Sequence, residues 1–308
     1  GIPFTMPHRP GDVTLDAKYG KLANNFYKFQ FREGDVLLSS FPKSGTTWVR
    51  ELVWNLMHTD QLEKVDELGL DQRSFFLDID FLRPVDPPPV VEAFLKACPE
   101  GKPEDGITLQ MAALQDTPRI MQTHLHQRAL SQQLLDKCKL VYVVRNPKDV
   151  CVAYHHHCSI MAHHNFTGPF ENFVKAFMEN KLVFGPYFEH VKQAWEMRSS
   201  PNVHIVYYED LKKDIDGELK KLAAFLKLDR TDEQLASVAA NCEFSKMRAR
   251  DANNPIYKVA KLRPELPGFF RKGIVGDWNN KADQELNEKM TNWINEQTEG
   301  TDITFKYE

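Results

Sequence analysis

FPKSGTTW (residues 41–48) gathers one ammonium, Lys43, and three hydroxyls, Ser44, Thr46 and Thr47, around a single glycine, Gly45. The stretch lies where an apolar run, VLLSS, gives way to a helical pattern, TTWVRELVWNLMH. The first N–H groups of a helix lack intrahelical partners and point along its axis, so an anion belongs here, with Lys43 and the hydroxyls as further donors. A nucleoside-triphosphate loop reads G-x-x-x-x-G-K-[ST] and relies on a second strand ending in an aspartate that helps hold magnesium. Here the lysine precedes the only glycine of the loop, and the run KLVYVV ends in Arg145, then Asn146, Pro147 and Lys148. Cations at that strand end repel magnesium and attract a second phosphate. FFRKGIVGDW (269–278) adds Arg271 and Lys272 beside Gly273, two charges and a residue that lets the backbone approach a ligand. Three separate basic turns imply a nucleotide with phosphates at both ends, bound without a metal.

Three other features invite chemistry. His155, His156, His157, His163 and His164 suggest a metal, but neighbouring histidines on a helix diverge and no carboxylate or cysteine completes a ligand spacing, so none is expected. NFT (165–167) matches a glycosylation sequon that matters only in a secreted chain. His124 closes the run PRIMQTH; an imidazole titrates near neutrality and suits proton transfer, although a lone strand-end histidine is more often structural.

The elements that must position these groups alternate. Strand-like runs DVLLSSF (35–41), PRIMQTH (118–124), KLVYVVR (139–145) and NVHIVYY (202–208) are separated by helical patterns, which predicts an α/β fold with a mostly parallel sheet flanked by helices. The basic loop and the Arg145 turn then sit at carboxyl ends of strands, where open α/β sheets bind ligands. The Pro-rich segments at 84–94 and 98–106 read as surface excursions. Thr231 and Gln234 form a capping-box pattern, and Leu286, Met290, Trp293 and Ile294 fall on one helical face that packs on the sheet. GIPFT before Met6 reads as a vector-derived remnant, and residues 6–308 as a single domain.

The 308 residues are 42% hydrophobic, enough for a sizeable core, and 39 Lys+Arg against 43 Asp+Glu give a net charge of −4. Such a balance does not suit a protein that wraps nucleic acid or coats anionic lipid. Five scattered cysteines without CxxC spacing argue for a reducing compartment, and no apolar stretch reaches the ~18 residues of a membrane span, so a cytoplasmic protein is expected.

FPKSGTTWVRELVW, THL at 123–125, RNPKDVCVAYHH, YYEDLKKD and RKGIVGDW together resemble the cytosolic sulfotransferases, in the family's order and over nearly the whole chain. The resemblance implies that 3'-phosphoadenosine 5'-phosphosulfate (PAPS) is the donor, 3'-phosphoadenosine 5'-phosphate (PAP) the product, and that no metal is needed. It implies that residues 43–47 cradle the phosphosulfate, with Lys43 on the oxygen bridging phosphorus and sulfur, and that His124 is the general base. Trp48, with Phe244 and Met247 opposite, matches the adenine site, Cys242 lies near it, Tyr208 matches a nucleotide contact, and Arg145, Arg271, Lys272 and Gly273 match the 3'-phosphate clamp. Phe76, Ile79 and Phe81 look like the acceptor gate, and Gln122 and His157 like pocket neighbours. The acceptor is then a small lipophilic alcohol, most simply a phenol, with catecholamines and steroids as relatives of that class. Strand alternation through Ile79 turns Asp78 and Asp80 away from the pocket.

The pattern also breaks. Gln122 stands where the family has a lysine, Ala153 where it has a serine on the 3'-phosphate, and Cys242 where a threonine is expected. A lost hydroxyl contact is worth roughly 1 kcal/mol, so donor binding weakens without being abolished. NNKADQELNE (279–288) keeps only Glu288 of the family's dimer motif, which favours a monomer. Two rivals stand beside the transferase: a small-molecule kinase, which lacks its magnesium-binding aspartate here, and a nucleotide-binding protein weak in or devoid of catalysis.

Overall fold

The computed structural model describes residues 3–5, 13–83, 85–131, 133–161, 164–251, 263, 266 and 268–308. Its strands are β1 (Pro3–Thr5), β2 (Thr14–Asp16), β3 (Val36–Ser39), β4 (Phe75–Phe76), β5 (Ile120–Thr123), β6 (Lys139–Val144) and β7 (Val203–Tyr207). β1 and β2 form a separate antiparallel pair, and the others make one sheet in the order β4-β5-β3-β6-β7. β3 runs parallel to β5, from Val36 opposite Ile120 to Ser39 opposite Thr123, and parallel to β6 on its other side. The α/β architecture with a parallel sheet and intervening helices is the one the alternating pattern predicts. Met6 and His163 lie outside the described residues.

All four strand-like runs become strands shorter than the runs, three of them trimmed at both ends; at the carboxyl ends the chain leaves the sheet to build turns. One expectation fails. Only Phe75 and Phe76 of RSFFLDI pair with the sheet, and Ile79 opens a helical turn, Ile79–Leu82, so alternation does not govern Asp78 and Asp80.

Two compact units make up the chain. The first comprises Gly1–Phe41, Leu70–Tyr142 and Val183–Ile205. Within it, the Asp35 carboxylate, wholly buried ahead of β3, pairs with the Arg119 guanidinium ahead of β5. Arg119 also donates to the carbonyls of Ala112 and Gln30. A buried charge without its partner costs several kcal/mol, so this pair fixes where β3 and β5 start and hence where they end. The second unit comprises Pro42–Gly69, Val143–Leu182 and Val206–Glu308. There the helix Gln284–Thr298 buries Met290, Trp293 and Ile294 of the expected face and leaves Leu286 half-buried; Trp293 meets Phe177 of the helix Phe170–Met178 at 5.6 Å between ring centres, a helix contact where packing on the sheet was expected.

The first unit also buries two histidines as neutral rings. His190 donates Nε2–H to the His124 carbonyl, and its Nδ1 lies 2.7 Å from the Tyr142 hydroxyl; His126 donates to the Phe184 carbonyl and accepts from Gln193. Burial pushes His126 down to about 4 and His190 well below its ordinary value. Because the folded pKa lies below the unfolded value near 6.5, the stability they contribute is complete above about pH 6.5 and is lost as pH falls towards 4. Urea unfolding of wild type and His126→Gln between about pH 7 and 4 should show wild type losing on the order of 3 kcal/mol relative to the variant. Parallel curves refute the assignment.

Candidate active site

After β3 the chain turns through two residues with positive φ, Lys43 at 68° and Gly45 at 107°, and enters the helix Thr46–Met57. The N-cap position is Gly45, which has no side chain to cap the helix, so the helix start lies at the turn, where an anion site is expected. Ser44 and Thr46 are buried, Thr47 half-buried. A Cβ on Gly45 would lie 2.5 Å from the Tyr208 ring, so glycine is needed both for its conformation and for the ring beside it. Tyr208 is in turn held by Arg145, whose guanidinium carbon lies 4.3 Å from the ring centre, and by the edge of Trp48. The Trp48 indole donates to the Cys242 carbonyl at 3.0 Å. The Cys242 side chain itself is buried, so its backbone makes the contact at this position.

Arg145, buried at the end of β6, donates Nη1–H to the Lys43 carbonyl and Nη2–H to the Ile274 carbonyl, and lies 3.7 Å from Asp149. Asp149 accepts from the backbone N–H groups of Gly276 and Trp278. Arg271 and Lys272 both pair with one carboxylate, Asp277. Burial raises that carboxyl's pKa, but hydrogen bonds from Lys272 and Arg271 outweigh it and hold the group below its ordinary value. Gly273, with φ 66°, lies under Phe244, and a Cβ there would approach the ring to 2.5 Å. Met247 is buried on the helix Phe244–Asp251. The Lys43 ammonium stands 3.6 Å from the centre of the Phe269 ring, a cation–π contact. Thus the three basic turns foreseen in the sequence come together within the second unit. Asp149, Asp277 and Phe269 were not foreseen.

The remaining groups belong to the first unit. His124 follows β5, and its Nδ1–H donates to the Ser40 carbonyl at 2.8 Å, with the Ser40 hydroxyl at 3.4 Å. That bond fixes the tautomer and leaves the Nε2 lone pair as the basic site, 3.2 Å from the Gln122 amide nitrogen. The rings of Phe76 and Phe184 meet the imidazole edge-on at 5.3 and 5.6 Å. Phe184 has φ 66° in the turn before Pro186 and carries no motif that would reveal it. Asp78 is fully buried and accepts from the Thr123 hydroxyl and the His124 backbone N–H, both at 2.5 Å. Burial pushes its carboxyl up to about 7. Asp80 accepts from the N–H groups of Thr108 and Leu109, so bonding to backbone, not alternation, occupies both aspartates.

Two residues of the expected acceptor gate sit differently from a strand-borne wall. Phe81 is 1% exposed in a cluster with Tyr19, Phe26 and Phe184. Ile79, half-buried, heads a helical turn instead of facing a pocket from a strand. His157 packs on Phe269, Tyr154 and His164 in the second unit. Among the described residues no group of three or more His, Cys, Asp or Glu side chains is arranged to hold a metal ion, and no helix is long and apolar enough to cross a membrane.

The sulfotransferase domain family model matches residues 33–302. The chain belongs to the sulfotransferase family. Human sulfotransferase 1E1 is 32% identical over 302 residues, covering 96% of this chain and 94% of its own. Luciferin sulfotransferase of Photinus pyralis is 32% identical over 298 residues, with 94% and 78% covered. Among solved structures, retinol dehydratase in complex with androsterone and the inactive cofactor PAP superposes with a TM-score of 0.84 at 28% identity, covering 96% of this chain and 90% of that one. The same enzyme with retinol and PAP gives 0.83 at 29%. The sulfotransferase family thus accounts for a phosphate loop that departs from the nucleoside-triphosphatase spacing.

Gly45→Ala should cost about 2 kcal/mol in urea unfolding, from the left-handed backbone and the displaced Tyr208 ring together. Gly276→Ala, with φ 78° but its nearest neighbour 3.8 Å from a Cβ, should cost roughly half as much. Equal losses would remove the ring from the account.

Proposed function

We propose that this protein transfers the sulfuryl group of PAPS to the hydroxyl of a small lipophilic acceptor, a phenol in the first instance, with His124 as general base. The observation that carries the reading is the His124 tautomer: Nδ1–H is committed to the Ser40 carbonyl, so Nε2 is the proton acceptor, flanked by the edges of Phe76 and Phe184. Flat apolar rings beside a base suit a phenol, and the lipophilic alcohols named with retinol dehydratase, androsterone and retinol, are of a kindred class.

The second unit fits a nucleotide with anions at both ends. Glycines at 45 and 273 leave no room for a Cβ against Tyr208 and Phe244, so at both turns the backbone comes close to a ring and stands beside cations without a side chain between them. Ser44, Gly45, Thr46, Thr47 and the helix start would hold the 5' end, Arg145, Arg271, Lys272 and Gly273 the 3'-phosphate, and Trp48, Phe244, Met247 and Cys242 the base, with Tyr208 supporting the loop. PAPS supplies an activated sulfuryl group and a leaving phosphate whose charge grows during transfer. Lys43, leaving the Phe269 face, would meet that charge, and the preorganised helix N–H groups would share it. No residue of this account needs a metal. His124 takes the acceptor proton as its oxygen attacks sulfur, and Gln122, now donating to Nε2, must swing aside for the acceptor hydroxyl.

The same reading makes residues 6–308 one sulfotransferase domain, a cytoplasmic monomer with its cysteines free. The test is transfer of labelled sulfate from PAPS to phenols, catecholamines and hydroxysteroids without added metal. His124→Ala should lose roughly a hundredfold or more in kcat, as expected for a general base. Wild-type activity that survives this substitution refutes the base, and PAPS binding without any transfer favours the non-catalytic alternative. Gln122→Lys should raise kcat several-fold by bringing a positive charge to the transferring oxygens, about 1 kcal/mol of barrier. An unchanged rate and acceptor profile would show that Gln122 plays no such part.

A further inference from the structure

The cations of the second and third basic turns do not stand alone: two buried aspartates frame them. Asp277 is 1% exposed at its side chain and carries Arg271 on one oxygen and Lys272 on the other, with the Asn280 amide as a further donor at 3.1 Å. Asp149, likewise buried, carries Arg145 and at the same time accepts the N–H groups on either side of Asp277, those of Gly276 and Trp278. Asp149 is itself fixed at the start of the helix Pro147–Ile160, where its N–H donates to the Asn146 side chain. Backbone and side-chain bonds therefore join the three cations into one frame.

We infer that Asp277 is a positioning residue for selection of the 3'-phosphate: it holds Arg271 and Lys272 in the orientation in which they receive that group. The inference rests on the reading of the second unit as a nucleotide site. Long cationic side chains lose rotamer freedom when they grip a ligand, and a carboxylate that has already fixed them removes that loss from binding. A guanidinium carries five N–H donors and an ammonium three, so a bond to Asp277 does not exclude one to phosphate. Asp277 also keeps the two like charges of neighbouring residues on a common anion, without which they would repel each other apart.

The test compares two ligands that differ only in the 3'-phosphate, PAP and adenosine 5'-phosphate, by calorimetry on wild type and Asp277→Asn. The asparagine is isosteric and removes the charge. The expected result is PAP affinity lower by about tenfold with adenosine 5'-phosphate affinity within about twofold of wild type. Affinity for PAP that rises would mean that Asp277 competes with the ligand, and equal losses for both ligands would mean that it serves the fold alone; either outcome overturns the inference. If Asp277→Asn does not fold, Asn280→Ala removes one bond to Asp277 from an exposed residue, and a smaller but equally 3'-selective loss is expected. Wild type that binds neither ligand refutes the nucleotide reading itself, a result distinct from all of these.

Discussion

One buried guanidinium holds the second unit's site together. Arg145 leaves the end of β6 and donates to the carbonyl of Lys43 in the phosphate loop and to that of Ile274 in the turn after Gly273. Its flat face covers Tyr208, and Tyr208 closes on Gly45. Loops of this kind have no ladder of backbone bonds to keep them in place, and a planar group with several fixed donors can tie three of them at once. Arginine here is therefore a structural centre before it is a ligand contact. Lysine, with one compact charge on a flexible stem, would supply attraction to phosphate but not the geometry that orients the loop.

The parallel strands and the three basic turns were legible in the sequence because each is written locally: an apolar run, a glycine, a cation and a helix start within a few residues. The residues that escaped notice are those whose meaning depends on a distant partner. Asp277 in GDW reads as a surface aspartate until Arg271 and Lys272 are seen to share it. Alternation, which would turn Asp78 outward, holds only while the chain stays in the sheet; the chain leaves it after Phe76, and the carboxylate turns to Thr123 and His124. Phe81 was legible as aromatic but not as core, because the cluster that buries it draws on Tyr19 and Phe184 from remote parts of the sequence. Phe184 takes its place beside His124 through a left-handed backbone turn that no spacing rule anticipates.

On the base side a single histidine is constrained at three atoms. Its ring nitrogen is tied to Ser40, its backbone N–H to Asp78 and its carbonyl to His190. These bonds come from the ends of β3, the segment after β4 and a helix late in the unit, so the imidazole is fixed relative to the sheet and not merely to its neighbours. The buried Asp35–Arg119 pair at the opposite ends of β3 and β5 sets the register on which this convergence depends. Asp78, raised by burial to about 7, is a costly group to retain. Its two short bonds offset part of that cost, and an apolar residue of the same size would leave the Thr123 hydroxyl and the His124 N–H to be satisfied elsewhere.

The departures from the family pattern acquire different weights in this frame. Ala153 is buried on the helix that Asn146 and Asp149 begin; on the proposed reading of the nucleotide site, its missing hydroxyl would remove one donor where Arg145, Arg271 and Lys272 are already fixed by carboxylates. Charge-assisted donors are roughly twice as strong as neutral ones, so the loss is tolerable there. Gln122 is the more consequential change. It is the penultimate residue of β5, with its amide on the Nε2 of His124, where a lysine would be repelled by any proton that nitrogen acquires but would bring charge to the oxygens of a transferring group. A neutral amide instead stabilises the resting imidazole and lends the transfer no charge. On the proposed reading, the same substitution would quiet the base in the free enzyme and lower its power in the transition state, leaving the choice of acceptor to the aromatic rings around His124.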